Sequence, residues 1–144
     1  MVRSFEHAAY SAERLAAERG ASVCVVVPAR NCAATIGAIA RTLVSLKGRG
    51  AIDQVLVVDA DSPDGTAEVA RAQGAQVVSE RTLMPQFGAV VGKGDAMWRA
   101  LSVVRCDVVV YVDGDSGHFG EHFACGPAGA LLLAPLVEYV KGFF

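Results

Sequence analysis

Runs of consecutive apolar residues alternate with helical patterns along this chain. The apolar runs cover residues 22–27, 55–58 and 108–112, and they place apolar side chains on both faces of each predicted strand. Strands without a polar face are typical of a parallel sheet that helices cover on both sides. Helical spacing of apolar residues follows at 33–47, 66–72 and 95–104. The alternation predicts an α/β fold with a parallel sheet.

Four further segments have weaker patterns. Residues 4–19 predict a helix, with Ser4 as a cap and Gly20 as its stop. Residues 76–79 predict a short strand, and residues 80–92 a loop containing Pro85. The last residues, 140–144, form another strand-like run. Loops as long as 80–92 are often functional in compact domains.

Composition narrows the classes of partner. The net charge of −2 over 144 residues, with scattered Lys and Arg, argues against a nucleic-acid partner. The longest uncharged apolar stretch, residues 126–137, contains two prolines and is shorter than the roughly 20 residues that cross a bilayer. Four cysteines without a C-x-x-C pair, and no visible secretory leader, favour reduced thiols. We therefore expect a soluble cytoplasmic protein without a membrane partner.

Candidate site residues follow each long strand, at the strand ends where ligands bind in open parallel sheets. The candidates are Pro28, Ala29, Arg30 and Asn31 after the first strand, Asp59 and Ala60 after the second, and Asp113, Gly114 and Asp115 after the third. Two carboxylates at a strand end can bind a divalent cation. The first group could expose a helix N-terminus to a base or phosphate, and Asp59 could accept a hydrogen bond from a nucleobase. Ordinary turns, with Asn31 as a helix cap, are the open alternatives.

Lys93 lies between two glycines, just before a predicted helix, where it could pair with phosphate oxygens. The spacing does not fit a P-loop, and a solvated lysine is the alternative. His118 and His122 are four residues apart, but without a convincing third ligand we expect them to be surface or loop histidines.

Four segments together resemble one family. They are VVVPARN at 25–31, VVDADSPDGT at 57–66, GKGDAMWR at 92–99 and VDGD at 112–115. In this order they resemble the nucleotide-sugar half of GT-A-fold glycosyltransferases, most closely the retaining glucosyl-3-phosphoglycerate synthases and their mannosyl-transferring relatives. The resemblance covers residues 21–144. It implies a GT-A (Rossmann-like), mostly parallel sheet flanked by helices and truncated before the acceptor half, with residues 1–20 as an N-terminal helical extension.

The same resemblance implies an activity. It is the transfer of glucose or mannose from UDP-glucose or GDP-mannose to 3-phosphoglycerate, with retention, as in glucosylglycerate or methylglucose lipopolysaccharide biosynthesis. The implied cofactor is a divalent cation, Mg²⁺ or Mn²⁺. The full-length protein would be a homodimer.

Site residues follow by position. The resemblance makes Asp115 the metal ligand of a D-x-D motif, and it makes Asp115 and Lys93 the catalytic residues. The implied nucleotide-sugar-binding residues are Pro28, Ala29, Arg30, Asn31, Asp59, Ala60, Lys93, Asp113 and Gly114. Two positions depart from the family pattern: Cys32 replaces the usual Glu, and Ala60 replaces a frequent Ser.

Two other functions stay open. An apolar strand that ends in Asp-x-Asp also describes a phosphatase of the haloacid dehalogenase type, with Asp113 as nucleophile and Asp115 as acid. The chain could also be a non-catalytic nucleotide-binding fragment.

Overall fold

A computed structural model describes residues 2–143, in which four strands form one parallel sheet. The strands are β1 (Val23–Ala29), β2 (Gln54–Asp59), β3 (Gln76–Ser79) and β4 (Val108–Tyr111). Their order is β3-β2-β1-β4, and every neighbouring pair is parallel. The chain order therefore reverses between β1 and β4, the place where open sheets of this kind bind ligands. The predicted parallel α/β sheet is confirmed.

Helices cover both faces of the sheet. They are α1 (Ala12–Glu18), α2 (Ala33–Gly48), α3 (Thr66–Ala72), α4 (Gly92–Ala100) and α5 (His122–Leu133), with short 3-10 turns at His7–Ala9, Glu80–Thr82 and Pro85–Phe87. Side chains of β1 alternate between two apolar cores. Val25 and Val27 join the core under α1, α2 and α5, whereas Cys24 and Val26 join Ala96 of α4 on the opposite face. This double burial explains why the strands lack a polar face.

The N-terminal helix is shorter than predicted. It begins at Ala12 rather than near Ser4, and its cap is Ser11, whose hydroxyl accepts a hydrogen bond from the Arg14 N–H at 3.1 Å. The residues before it pack on α5 instead, with His7 lying over Gly126. Leu15 is buried in the same core as the sheet. The division at residue 20 into an extension and a half-domain stays a prediction.

The bounds of α4 were also wrong. The helix begins at Gly92, because the Asp95 carboxylate accepts a hydrogen bond from the Val91 N–H at 2.9 Å and caps the first turn. It ends at Ala100, not residue 104, because the chain then continues in tighter turns.

The C-terminal part contains a helix that the sequence pattern did not predict. Helix α5 begins within the turn-rich segment and runs through Pro127. None of the helices in residues 2–143 is long and apolar enough to cross a membrane. Residues 140–143 of the predicted final strand lie in no regular element, and residue 144 lies outside the described residues.

Candidate functional site

A cleft of about 260 Å³ opens at the carboxyl ends of the strands, between the sheet edge and the start of α4. Seven of the predicted site residues line it: Pro28, Ala29, Arg30, Ala60, Lys93, Gly114 and Asp115. Pro28 lies within β1, which extends two residues beyond the predicted end. Its missing N–H costs no ladder bond there, because the ladder with β4 ends at Val26, whose carbonyl accepts the Val112 N–H at 3.1 Å.

Gly114 lets the end of β4 approach β1 closely. A Cβ atom at this position would lie 3.1 Å from the Pro28 carbonyl oxygen and 3.3 Å from the Ala29 Cβ atom. The Thr35 hydroxyl of α2 donates a hydrogen bond to the Gly114 carbonyl at 2.7 Å. The glycine between the two carboxylates is therefore buried against β1, and Asp115 is directed to the cleft.

Lys93 and Asp113 form an ion pair at the mouth of the cleft. Lys93 belongs to the first turn of α4, and Asp113 follows β4. Both side chains are more than half exposed. Lys93 lines the cleft, whereas Asp113 lies at its rim and is held by the lysine.

Asp115 is the carboxylate that fits a divalent cation. Its side chain lines the cleft, is exposed, and has no hydrogen bond or ion pair with any residue from 2 to 143. No three Asp, Glu, His or Cys side chains in that range could hold a metal ion together. A bound substrate could supply further oxygen ligands to a cation here, as substrate phosphates commonly do for Mg²⁺ that is bound by one or two carboxylates.

Neither His118 nor His122 lines this cleft. His118 is exposed in a turn. His122 is the first residue of α5 rather than a loop residue, and its ring centroid lies 4.8 Å from that of His7 and 4.6 Å from that of Phe123. Aromatic packing accounts for its position.

The start of α2 is not free to bind phosphate, contrary to the sequence-based hypothesis. Its first N–H groups already have acceptors. The Cys32 N–H donates to the hydroxyl of Thr66, the first residue of α3, at 2.9 Å, and the Ala33 N–H donates to the carboxylate of Asp64 in the β2–α3 loop at 3.0 Å. The N-cap residue is Cys32, so Asn31 is not the cap. Asn31 is exposed, with a positive φ of 52°, and does not line the cleft.

Asp59 does not join the other predicted residues. It is 4% exposed, and its Oδ2 atom accepts a hydrogen bond from the Ser62 N–H at 3.0 Å. Its Oδ1 atom is buried without a hydrogen-bond partner in the described part of the chain. Asp59 lines a second cleft of about 290 Å³, shared with Asp61 and Arg71. The structure therefore does not bring this carboxylate into the main cleft.

A different carboxylate, Glu80, occupies the main cleft and was missed. It follows β3 directly and lines the cleft beside Val58, Val90 and Arg30. Burial raises the pKa of Glu80, and the nearby charge of Arg30 partly offsets this effect. The rule that pointed to Asp59 and Asp113, a carboxylate at the end of a parallel strand, also describes Glu80 and could have identified it.

Cys32 is a second residue in the cleft that the sequence-based site did not contain. Its thiol donates a hydrogen bond to the Arg30 carbonyl at 3.2 Å, and burial raises the pKa of this thiol. Because a raised pKa keeps the thiol protonated, Cys32 is a small neutral surface inside the cleft.

Residues 24–123 match the family described as glycosyl transferase family 2. The chain belongs to this family. It is 37% identical over 129 residues to a glucosyl-3-phosphoglycerate synthase of Mycolicibacterium smegmatis, covering 90% of this chain and 42% of that protein. The resemblance predicted from the four segments is confirmed.

Solved structures agree in fold. The chain superposes on mannosyl-3-phosphoglycerate synthase from Rubrobacter xylanophilus with a TM-score of 0.87 and 47% identity, covering 92% of this chain and 44% of that one. The chain also superposes on a glucosyl-3-phosphoglycerate synthase from Mycobacterium tuberculosis in complex with Mn²⁺, UDP-glucose and phosphoglyceric acid. The TM-score is 0.75 and the sequence identity 32%, and the superposition covers 94% of this chain and 46% of that one. The GT-A fold prediction is thereby confirmed. The chain spans less than half the length of these relatives.

The phosphatase alternative gains no support. The family match is to glycosyltransferases. The carboxylate that would act as its nucleophile, Asp113, is held in an ion pair by Lys93.

Proposed function

We propose that the cleft binds a nucleotide-diphosphate sugar as the donor half of a metal-dependent glycosyltransferase. One observation carries this proposal: a carboxylate after β4 and a lysine from α4 line the same cleft at the point where the strand order reverses. The carboxylate, Asp115, suits a cation, and the lysine, Lys93, suits a diphosphate. The donor would be UDP-glucose or GDP-mannose, and the acceptor 3-phosphoglycerate. UDP-glucose and phosphoglyceric acid are ligands in the structure of one relative, and another relative is named as a mannosyl-3-phosphoglycerate synthase.

Each part of the donor has a matching part of the cleft. Val58, Val90 and Ala96 form an apolar wall that a nucleoside can pack against. The ammonium of Lys93 can exchange its ion pair with Asp113 for diphosphate oxygens, since both side chains are exposed. Asp115 would hold Mg²⁺ or Mn²⁺ together with those oxygens. When bound, the cation offsets the negative charge that develops on the departing diphosphate.

The residues of the chain have three tasks in this reaction. The apolar wall, together with Pro28 and Ala29, would hold the nucleoside, Lys93 would orient the diphosphate, and Asp115 would hold the cation. Retention of configuration, the biosynthetic pathway, the homodimer and the cytoplasmic location stay predictions.

A donor-panel assay tests this proposal. The 144-residue chain is incubated with UDP-glucose or GDP-mannose, with and without Mn²⁺, and with and without 3-phosphoglycerate. We expect donor binding that depends on Mn²⁺, and release of the nucleoside diphosphate, a reaction of the whole enzyme, should never occur without the acceptor. Donor binding that does not respond to Mn²⁺ would favour the non-catalytic nucleotide-binding alternative. Release of inorganic phosphate without an acceptor would contradict the proposal and favour a phosphatase.

A further inference from the structure

Glu80 is the carboxylate of the cleft to which the proposed donor chemistry assigns no role. Its side chain forms no hydrogen bond or ion pair with any residue from 2 to 143, although it lines the cleft. Burial disfavours its charged form, while the Arg30 guanidinium on the same cleft favours it. The Glu80 carboxylate is therefore a partly desolvated hydrogen-bond acceptor without a protein partner, and it is available to a ligand.

The position of Glu80 selects the part of the ligand that it can contact. Glu80 follows β3 and Asp115 follows β4, which are the two outer strands of the sheet. Three strand spacings of about 4.8 Å separate these strands. A nucleoside diphosphate has its phosphates at one end and its base at the other. With the phosphates at Asp115 and Lys93, the base points toward the β2–β3 end, where Val58, Ala60 and Glu80 line the cleft.

A carboxylate at this end discriminates among bases. It only accepts hydrogen bonds, and its two oxygens suit two adjacent donors. Guanine offers such a pair in N1–H and the 2-amino group. Uracil offers one N–H between two carbonyl oxygens, which a carboxylate repels. Adenine and cytosine each place a ring-nitrogen acceptor beside their amino group.

We propose that Glu80 is a specificity-determining residue that accepts hydrogen bonds from N1–H and the 2-amino group of guanine, so that the cleft prefers a guanosine-diphosphate sugar. This inference rests on the proposed function, because it needs the diphosphate at the β4 end. Glu80 would then make the hydrogen bond to the base that the sequence analysis suggested for Asp59. Asp59 is turned to the second cleft and bonded to its own loop.

The test compares three nucleotides and two variants. Affinities of GDP, inosine diphosphate and UDP are measured by calorimetry with Mn²⁺ for the wild-type chain and Glu80→Gln. Inosine diphosphate retains N1–H but lacks the 2-amino group. We expect GDP to bind at least tenfold more tightly than UDP, with inosine diphosphate between them. Glu80→Gln should remove most of the difference between GDP and inosine diphosphate while changing UDP affinity by less than twofold.

A matched control is Glu18→Gln, an exposed carboxylate on α1 that does not line the cleft. It should change none of the three affinities. A merely structural effect of Glu80→Gln would weaken all three nucleotides equally, which would overturn the inference. Mn²⁺-dependent binding without preference for GDP would overturn the inference and leave the proposed function standing. If none of the three nucleotides binds, both the inference and the proposed function are overturned.

Discussion

The ammonium group of Lys93 is ion-paired with the carboxylate of Asp113 across the mouth of the cleft. The pair connects the first turn of α4 to the end of β4, the two elements that would surround a diphosphate. Because both side chains are more than half exposed, the pair adds only about 0–1 kcal/mol to stability. Lys93 is therefore held near the cleft at little energetic cost and can be released to a ligand of higher charge.

Replacing Lys93 should weaken diphosphates selectively. In Lys93→Ala, we expect GDP and UDP to lose about 1.5–3 kcal/mol of binding free energy, the range for hydrogen bonds to charged groups. Guanosine and uridine should bind as before, because they offer no phosphate to the lysine. Calorimetry with Lys47→Ala, an exposed lysine on α2, is the control. Equal losses for nucleosides and diphosphates would contradict a phosphate contact.

Gly114→Ala should disturb the junction of β4 and β1. The new methyl group would lie 3.1 Å from the Pro28 carbonyl oxygen and 3.4 Å from the Cys32 sulfur, so the strand ends must move apart. We expect the free energy of unfolding to fall by about 1–3 kcal/mol, the usual cost of overpacking. Urea unfolding measures this change.

The control for this substitution is Gly117→Ala, where an added Cβ meets nothing within 4 Å. It should leave the free energy of unfolding unchanged or raise it by up to about 1 kcal/mol, since alanine restricts the unfolded chain. Equal stability of the two variants would show that Gly114 is not required for the close approach.

The sequence predicted the helices and strands that begin next to a local signal such as a turn glycine. Helix α3 begins at Thr66, directly after Gly65 with its φ of 89°, and β3 follows Gly74, whose φ is 88°. Helix α5 had no such signal, because it is apolar on all sides and contains glycines and Pro127. Its place depends on contacts with His7 and Tyr10, which are distant in sequence. The pattern of residues within one segment cannot predict contacts with residues that are distant in sequence.

Arg99 organises the loop that forms one wall of the cleft. It is 2% exposed, pairs with Asp95 at 3.0 Å, and donates to the carbonyl groups of five loop residues. These residues are Leu83, Met84, Phe87, Gly88 and Ala89. Arg99→Ala should lower the free energy of unfolding, because it removes a buried guanidinium and leaves these carbonyls without their donor, and each buried polar group left unsatisfied costs about 1–3 kcal/mol.

Chemical denaturation measures the effect of Arg99→Ala. The matched control is Arg71→Ala on α3, whose pair with Glu68 is exposed and 3.8 Å long. It should change stability by less than about 0.5 kcal/mol. A loss of that small size for Arg99→Ala would contradict its role in the loop.

Asp64 connects the β2–α3 loop to the start of α2 and should make stability depend on acid pH. Its pKa is lowered by the hydrogen bond from the Thr66 hydroxyl and by that from the Ala33 N–H. A lowered folded-state pKa stabilises the protein above the unfolded-state value, about 3.9, and this contribution disappears as the pH falls through the folded-state pKa.

The measurement is urea unfolding of wild type and Asp64→Asn at a series of pH values from neutral down to below about pH 4. The variant should be less stable at neutral pH and should lose less of its stability on acidification. An acid decline as steep as that of the wild type would show that Asp64 does not contribute.

The sequence predicted those residues of the candidate site whose position depends only on where a strand ends. The apolar runs end just before Pro28, Asp59 and Asp113, which places the residues that follow at one edge of the sheet. The structure brings Pro28, Ala60 and Gly114 into one cleft. The direction of each side chain was not predictable in the same way. Asp59 turns back to bond the Ser62 N–H, while Glu80 enters the cleft, and both outcomes depend on loop geometry.

Calorimetric titration of a nucleotide-sugar into the wild-type chain and Asp115→Ala, each with and without Mn²⁺, tests the central claim most directly. Glu6→Ala, an exposed carboxylate near the N-terminus, is the control. We predict that Mn²⁺ strengthens binding to the wild-type chain and to Glu6→Ala, and that Asp115→Ala abolishes this dependence on Mn²⁺. An equal response to Mn²⁺ in Asp115→Ala would contradict the assignment of Asp115 as the residue that holds the cation in a nucleotide-sugar cleft.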